Sequence, residues 1–186
     1  MEGLVWLHQN LHSNSAVNEF VKFITRLGDT GFIWIVLGLI FLIFKKTRHT
    51  GIILFISLAV GFVLNDFVLK TIFNRARPFE VNNEFKQFIE SLGMELPSGK
   101  SFPSGHSYSS LNCAMVITLM HKKWGWTSLF LGFAIALSRI FLLVHYPTDV
   151  LAGIILGIIT AVCMVLVYKK ILRVLEARKR QKVLKG

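Results

Sequence analysis

The stretch VLAGIILGIITAVCMVLVY, residues 150–168, decides the fold of this chain. It contains 19 consecutive residues without a charged side chain. A helix of that length crosses the hydrocarbon core of a bilayer, which needs about 20 apolar residues. Only 17% of the whole sequence is charged and its mean hydropathy is +0.58, whereas soluble domains have about 25% charged residues. The chain is therefore predicted to be an integral membrane protein.

Four further apolar stretches predict the rest of the fold, an all-α, polytopic transmembrane helix bundle of five to six spans. They cover residues 31–44, 51–69, 104–120 and 126–144. The first has only 14 residues and must recruit residues 27–30 to span. Residues 1–186 are interpreted as a single domain. The two cysteines lie inside apolar runs, so we expect small core residues and no disulfide at Cys113 and Cys163.

Two shorter segments have their apolar residues on one helical face, at spacings of three and four. They are Phe20, Phe23, Ile24 and Leu27 in the N-terminal region 1–27, and Phe85, Phe88, Ile89 and Leu92 between spans two and three. Both are predicted to be interfacial amphipathic helices, too short to span. Packing against the bundle and control of lipid access both fit this pattern. The N-terminus lacks the features of a cleavable signal peptide and is expected to remain.

The distribution of basic residues predicts the orientation. Residues 45–48, 122–123 and the tail 169–186 carry 13 of the 21 basic residues. Alternating spans place all three on one side, which the positive-inside rule assigns to the cytoplasm. The tail is then a basic cytoplasmic segment suited to anionic lipid. No nucleic-acid partner is expected, because no segment resembles a nucleic-acid-binding module.

Polar residues gather at the outer ends of four spans. Placing a charged side chain at membrane depth costs free energy, so we expect these residues to have a function. Lys70, Arg77 and Arg139 are three cations without a matching acidic cluster, which predicts a multiply charged anion. Ser104 has the position of a helix N-cap, and Gly105 allows a ligand to approach the backbone. The start of that helix would present free N–H groups to the anion. Phosphate fits better than carboxylate, because it has more oxygens to accept bonds from all these donors.

Two histidines supply reactivity at the same depth. Asp149 lies four residues after His145, and Pro147 between them suits the first turn of a helix. The carboxylate can then accept a hydrogen bond from one ring nitrogen, which fixes the tautomer and leaves the other nitrogen free to attack phosphorus. A metal would be repelled by the neighbouring cations, so we predict neither a metal nor another cofactor.

These residues form three motifs, which are Lys70 with Arg77-Pro78, Pro103-Ser104-Gly105-His106, and Ser138-Arg139 with His145 and Asp149. The set resembles the signatures of the type 2 phosphatidic acid phosphatase (PAP2) superfamily, from span two to span five. Membrane members of that family usually have six spans, whereas this sequence has five and an N-terminal amphipathic segment.

The resemblance implies a role for each motif residue. His145 would attack phosphorus and form a phosphohistidine, and Asp149 would orient it. His106 would protonate the leaving oxygen and then activate water. The phosphoryl oxygens would be held by Lys70, Arg77, Ser104, Gly105 and Arg139.

The expected function is removal of phosphate from a membrane lipid phosphate or diphosphate at the extracellular or periplasmic face of the cell membrane. Undecaprenyl diphosphate is the leading substrate, and phosphatidylglycerophosphate or phosphatidate is the alternative. A non-enzymatic lipid-phosphate binding or transport protein is the alternative of a different class. The complete set of nucleophile, orienting carboxylate and acid disfavours it, because binding alone needs only the cations.

Several residues outside the predicted site are interpreted individually. Arg75 is expected at phosphate or at lipid headgroups, and Ser138 is expected to pack span four. Gly153 and Gly157 form a small-residue pair that favours packing within the bundle over a dimer contact. The other histidines, His8, His12, His49 and His121, are interpreted as ordinary interfacial residues.

Asp66 lies four residues before Lys70, which places both on one helical face. We hypothesise that the carboxylate pairs with Lys70 and steers its ammonium toward the phosphate. The alternative is that Asp66 caps or bonds a neighbouring span.

Overall fold

The computed structural model describes residues 2–12 and 14–185. Every regular element in these residues is helical, which confirms the all-α prediction. The helices are α1 (Glu2–Leu11), α2 (Ser15–Leu27), α3 (Phe32–Ile43), α4 (Arg48–Phe62), α5 (Lys70–Phe73), α6 (Pro78–Val81), α7 (Asn83–Ser91), α8 (Gly105–Met120), α9 (Lys122–Phe141) and α10 (Pro147–Lys185). A 3₁₀ turn covers Asp29–Gly31, and a π-helical segment, Val63–Leu69, joins α4 to α5.

α8 is the central helix, and α4, α9 and α10 pack around it. It buries polar side chains as well as apolar ones, because neighbouring helices satisfy them. Trp34 Nε1 donates to Ser110 Oγ at 3.1 Å, and Ser57 Oγ donates to Asn112 Oδ1 at 2.5 Å. These bonds fix the rotation of α8, whose N-terminal end carries the second motif.

Glycines allow α10 to lie directly on α8. A Cβ at Gly153 would stand 2.7 Å from the carbonyl oxygen of Ser104, and one at Gly157 would stand 2.5 Å from that of Tyr108. Both distances are too short for a side chain. The small-residue pair therefore packs within the bundle, as predicted, and it draws the first turn of α10 close to the start of α8.

Three helical stretches are long and apolar enough to cross a membrane, which are Arg48–Val81 from α4 to α6, Lys122–Phe141 and Pro147–Arg178. A fourth span exists if α2 and residues 29–43, which meet at a bend of 47°, count as one. α8 falls short of the usual length with 16 residues. By length and apolar composition, the described residues thus support a membrane protein with three or four spans, and the five to six predicted spans are not confirmed.

Backbone turns with positive φ explain where the predicted span limits were wrong. Thr30 and Gly31 have φ of 52° and 75° and break the chain before α3. Leu143 has φ of 58°, so α9 ends at Phe141 rather than at residue 144. The apolar residues of that turn, which the sequence pattern assigned to the helix, are fully buried instead, at Leu142, Leu143 and Val144.

The second amphipathic helix packs inside the protein. Phe85, Phe88 and Ile89 of α7 are buried against Leu4 and the 142–144 turn, which supports the packing interpretation. On α2 the apolar face is divided. Ile24 and Leu27 pack on the main core, whereas Phe20 and Phe23 are more than half exposed.

Three smaller predictions have mixed outcomes. Ser138 Oγ donates to the carbonyl of Ile135 at 2.6 Å and is buried, as a packing residue should be. Both cysteines are free, but only Cys113 lies in the core. Cys163 is exposed on α10, because apolar neighbours mark a lipid-facing surface as well as a core. His12 is buried, with Nε2 2.7 Å from the carbonyl of Phe141.

Candidate active site

His145 lies in the connection between α9 and α10 and is almost fully buried. Its Nε2 is 3.2 Å from Nη1 of Arg77, and its Nδ1 is 3.3 Å from Oγ of Ser101 and 3.6 Å from Oδ2 of Asp149. Burial lowers the pKa of His145 below its ordinary value, so the imidazole is neutral at pH 7. A neutral ring with one nitrogen facing a cation is suited to attack an anion bound there.

Asp149 is fully buried and accepts bonds from three directions. Oδ2 accepts from the hydroxyl of Ser101 at 2.5 Å and from the backbone N–H of Tyr146 at 2.9 Å. Oδ1 accepts from Nη1 of Arg75 at 2.7 Å. The predicted direct bond to His145 is too long for a hydrogen bond. Asp149 therefore orients the ring together with Ser101, which lies between them.

Arg75 was expected at phosphate or at lipid headgroups, but it contacts the start of α10 instead. Besides Asp149, its Nη1 donates to Oγ1 of Thr148 at 2.7 Å, and its guanidinium lies 4.0 Å over the ring of Tyr146. It thus holds the start of α10. Neither Arg75 nor Ser101 was assigned this role from the sequence, because their partner is more than 40 residues away along the chain.

The N-cap prediction for the second motif is confirmed. Ser104 Oγ accepts from the backbone N–H of Ser107 at 3.4 Å and from its hydroxyl at 2.9 Å. The backbone N–H of Ser104 donates to the carbonyl of Asp149 at 3.1 Å, which ties the first turns of α8 and α10 together. A Cβ at Gly105 would lie 3.6 Å from Nζ of Lys70, so the ammonium and the open helix start share one space.

Arg77 is buried and positioned by backbone carbonyls. Nε donates to Gly99 at 2.9 Å, Nη2 to Ser98 at 3.1 Å and Nη1 to Val144 at 3.1 Å. These contacts and the one to His145 use four of its five N–H groups and leave one on Nη2 for a ligand. The guanidinium is thereby fixed beside Nε2 of His145.

Arg139 reaches the site from α9 and is 4% exposed. Nη1 donates to Oγ1 of Thr25 at 2.6 Å, while Nε has no partner within the described residues. Its backbone carbonyl accepts from the N–H groups of Val144 and His145 at 3.2 and 3.3 Å. A buried donor without an acceptor is costly, so this guanidinium is suited to an anionic ligand.

His106 opens α8, and its Nε2 is 2.8 Å from Oδ1 of Asp29 in the 3₁₀ turn. This contact was not predicted, because the two residues are 77 positions apart along the chain. Together these contacts bring the predicted site residues to one end of the bundle, where six of them form two adjoining groups. His145, Asp149 and Arg77 form the first, and Lys70, Gly105 and His106 form the second.

The hypothesised pair in the π-helical segment is confirmed, since Nζ of Lys70 donates to Oδ1 of Asp66. The steering role of Asp66 stays a prediction. Asp66→Asn should raise KM and the inhibition constant of vanadate together by about tenfold, equivalent to about 1.4 kcal/mol, because Lys70 loses its anchor. Steady-state kinetics with Glu84→Gln as the control, an exposed carboxylate, measures this. Unchanged kinetics in Asp66→Asn would show that the pair is only structural.

A cavity of about 550 Å³ adjoins the second group. Lys70, His106 and Asn65 line its polar end, and apolar side chains of α3 and α4 line the remainder, including Ile35, Phe55, Leu58 and Phe62. Ile35 is 38% and Phe62 is 59% exposed at the outer surface. The cavity thus joins a charged site to an apolar surface of the bundle.

No group of three or more His, Cys, Asp or Glu side chains able to hold a metal occurs in residues 2–12 and 14–185. The expectation of a metal-free reaction stays a prediction, supported by the cations at the site.

Comparisons with known proteins agree with this geometry. The sequence model of the PAP2 superfamily matches residues 50–173. An undecaprenyl-diphosphatase of Sulfolobus acidocaldarius is 32% identical over 149 residues, 80% of this chain and 69% of that protein. The bacitracin transport permease protein BcrC of Bacillus licheniformis is 34% identical, over 79% of this chain and 70% of that protein.

Solved structures show the same fold. LpxE of Aquifex aeolicus superposes with a TM-score of 0.67 at 25% identity, over 88% of this chain and 93% of that one. The chain belongs to the PAP2 superfamily. It is an enzyme, a lipid phosphatase of the membrane.

Proposed function

We propose that this chain hydrolyses a polyprenyl diphosphate, undecaprenyl diphosphate, at the outer leaflet. The observation that carries the proposal is the continuity between the charged site and the apolar cavity, because a long lipid needs both. The relative from Sulfolobus acidocaldarius is named an undecaprenyl-diphosphatase, which supports this substrate. A phosphatidylglycerophosphatase B of Bacillus subtilis, 29% identical, supports the alternative of a monophosphate lipid.

In the proposed reaction, Nε2 of His145 attacks the terminal phosphorus while the bond to the leaving oxygen breaks. Ser101 and Asp149 hold Nδ1, so that the lone pair of Nε2 points at phosphorus. Arg77, Arg139 and Lys70, with the hydroxyl of Ser104 and the N–H of Gly105, hold the phosphoryl oxygens and stabilise their charge. These cations take the part that a metal takes in other phosphatases.

His106 completes both steps as acid and base. It gives a proton to the oxygen that leaves with the lipid, and the phosphoryl group is then carried by His145. In the second step His106 takes a proton from water, whose oxygen attacks phosphorus as the P–N bond breaks. Inorganic phosphate leaves, and both histidines return to their starting state. The proposed reaction therefore passes through a phosphohistidine and uses no metal.

We further propose that α8 crosses the membrane despite its 16 residues. Most of its side chains are buried against other helices. Because α8 has little contact with lipid, it does not need the hydrophobicity of a lipid-exposed span. With α2–α3, α4, α9 and α10, this gives five spans. The site then lies on the side opposite the basic loops and tail, which the positive-inside rule assigns to the outside.

Cysteine labelling tests this orientation. In a background without Cys113 and Cys163, Lys100→Cys should react with an impermeant maleimide in intact cells, because that exposed residue adjoins the site loop. Lys46→Cys, exposed in the connection from α3 to α4, should react only after the membrane is permeabilised. The reverse pattern would place the site at the inner leaflet.

Phosphate release from detergent-solubilised lipids tests the substrate. Undecaprenyl diphosphate, phosphatidylglycerophosphate and phosphatidate should be compared at equal mole fraction in EDTA. The proposal expects the highest kcat/KM for undecaprenyl diphosphate and full activity in the chelator. A preference for either monophosphate lipid would select the alternative substrate. Activity that needs an added divalent ion would refute the metal-free reaction.

A further inference from the structure

The turn between α2 and α3 is built around the imidazole of His106. A Cβ at Gly28 would stand 2.9 Å from Cδ2 of His106 and 2.5 Å from Cγ2 of Ile135. Only glycine fits there without displacing the ring. Thr30 and Gly31 then reverse the chain with positive φ. The turn therefore holds Asp29 beside the ring.

Asp29 makes one close contact with the site. Its Oδ1 lies 2.8 Å from Nε2 of His106. The carboxylate is about half exposed, whereas the His106 side chain is 20% exposed. A carboxylate next to Nε2 favours the ring forms that have a proton on that nitrogen. Nδ1 is then the nitrogen left to exchange protons.

The charges around this pair are mainly positive. Arg139 and Arg77 act on His106, and Arg139 and Arg26 act on Asp29. Lys70 and Asp66 line the same cavity and neutralise each other as a pair. Among the described residues, Asp29 is the carboxylate that contacts the ring. Its contact and charge act against the arginines and burial, and so favour the imidazolium that a general acid requires.

We propose that Asp29 is a positioning residue for His106, fixing Nε2 so that Nδ1 performs both proton transfers. In the first step Nδ1–H is given to the leaving oxygen while Nε2–H stays bonded to Asp29. In the second step the neutral ring takes a proton from water at Nδ1, and Asp29 keeps its charge throughout. This inference rests on the proposed acid–base role of His106. The residue comes from outside the 50–173 segment that matches the superfamily.

Leaving-group dependence tests the proposal. A lipid phosphate has a basic leaving oxygen that needs a proton, whereas nitrophenolate departs without one. Asp29→Asn should lower kcat on the preferred lipid by about tenfold to hundredfold, a fraction of the whole acid–base contribution. With p-nitrophenyl phosphate, the burst of nitrophenol from the first step should keep its rate. The steady state after the burst should slow, because water activation still needs His106.

Matched variants separate positioning from a structural effect. Glu95→Gln, an exposed carboxylate on the α7–α8 connection, should retain wild-type kinetics. Asp29→Asn added to His106→Ala should cause no further loss, since Asp29 acts through that ring. Asp29→Glu should recover part of the lipid activity.

Three results would overturn the proposal. They are unchanged lipid turnover in Asp29→Asn, an equal slowing of the aryl phosphate burst, and losses that add in the double variant. Wild-type enzyme without activity on any lipid would instead refute the proposed function. If the wild-type enzyme is active but His106→Ala loses equal activity on the lipid and on the aryl phosphate, the acid–base role of His106 is refuted.

Discussion

His145→Ala is expected to lower kcat on the preferred lipid by at least about 10⁴-fold, as loss of a covalent nucleophile does elsewhere. No other ring nitrogen in the described residues lies against Arg77. The phosphate site should persist, because Arg77 is also held by three backbone carbonyls. Vanadate should therefore still bind, although more weakly. Phosphate release and vanadate affinity measured on the same preparation check both expectations.

A second histidine variant serves as the control for His145→Ala. His49 is exposed and bonds Tyr168 at 2.7 Å, away from the site motifs. His49→Gln should retain wild-type kcat. If His145→Ala keeps more than a few per cent of wild-type turnover, the nucleophile is a different group.

Asp149→Asn is expected to lower kcat by about 10³-fold to 10⁴-fold, as the equivalent change does in a catalytic triad. The amide cannot accept as a carboxylate does from Arg75, Ser101 and the N–H of Tyr146. The ring of His145 then loses its fixed tautomer. KM should change little, because the cations that hold phosphate are separate from Asp149.

Folding must be measured beside activity for this variant, because the buried Asp149 carboxylate is the acceptor for Arg75, Ser101 and the N–H of Tyr146, and weakening these bonds is destabilising. Ser101→Ala keeps the Arg75 pair and removes only the hydroxyl between Asp149 and His145. It should lower kcat less than Asp149→Asn and leave Tm near the wild-type value. Wild-type kcat in folded Asp149→Asn would show that the carboxylate only anchors α10.

The sequence predicted the motif residues because phosphate chemistry restricts which side chains are useful at membrane depth. His145, Asp149 and the cations all lie at one end of the bundle. The supporting contacts were not predictable in the same way. Ser101, Arg75 and Asp29 each act on a partner more than 40 residues away, and no local spacing encodes such a pair.

Hydrophobicity alone also gave wrong predictions for segments that are surrounded by protein instead of lipid. α8 is flanked by helices, so it carries buried Ser and Asn side chains. The residues Leu142, Leu143 and Val144 continue an apolar run but form a buried turn, because Leu143 has positive φ. Apolar character marks burial, whereas backbone direction depends on tertiary packing.

Trapping the covalent intermediate tests the central claim most directly. Enzyme mixed with radiolabelled lipid phosphate should be quenched in alkali, where phosphohistidine is stable, and then digested for mass spectrometry. His106→Ala with an activated aryl phosphate should raise the trapped fraction, because water is not activated in the second step. We expect one phosphorylated residue, His145, modified on Nε2. Phosphate on His106, or turnover without any covalent phosphoenzyme, would contradict it.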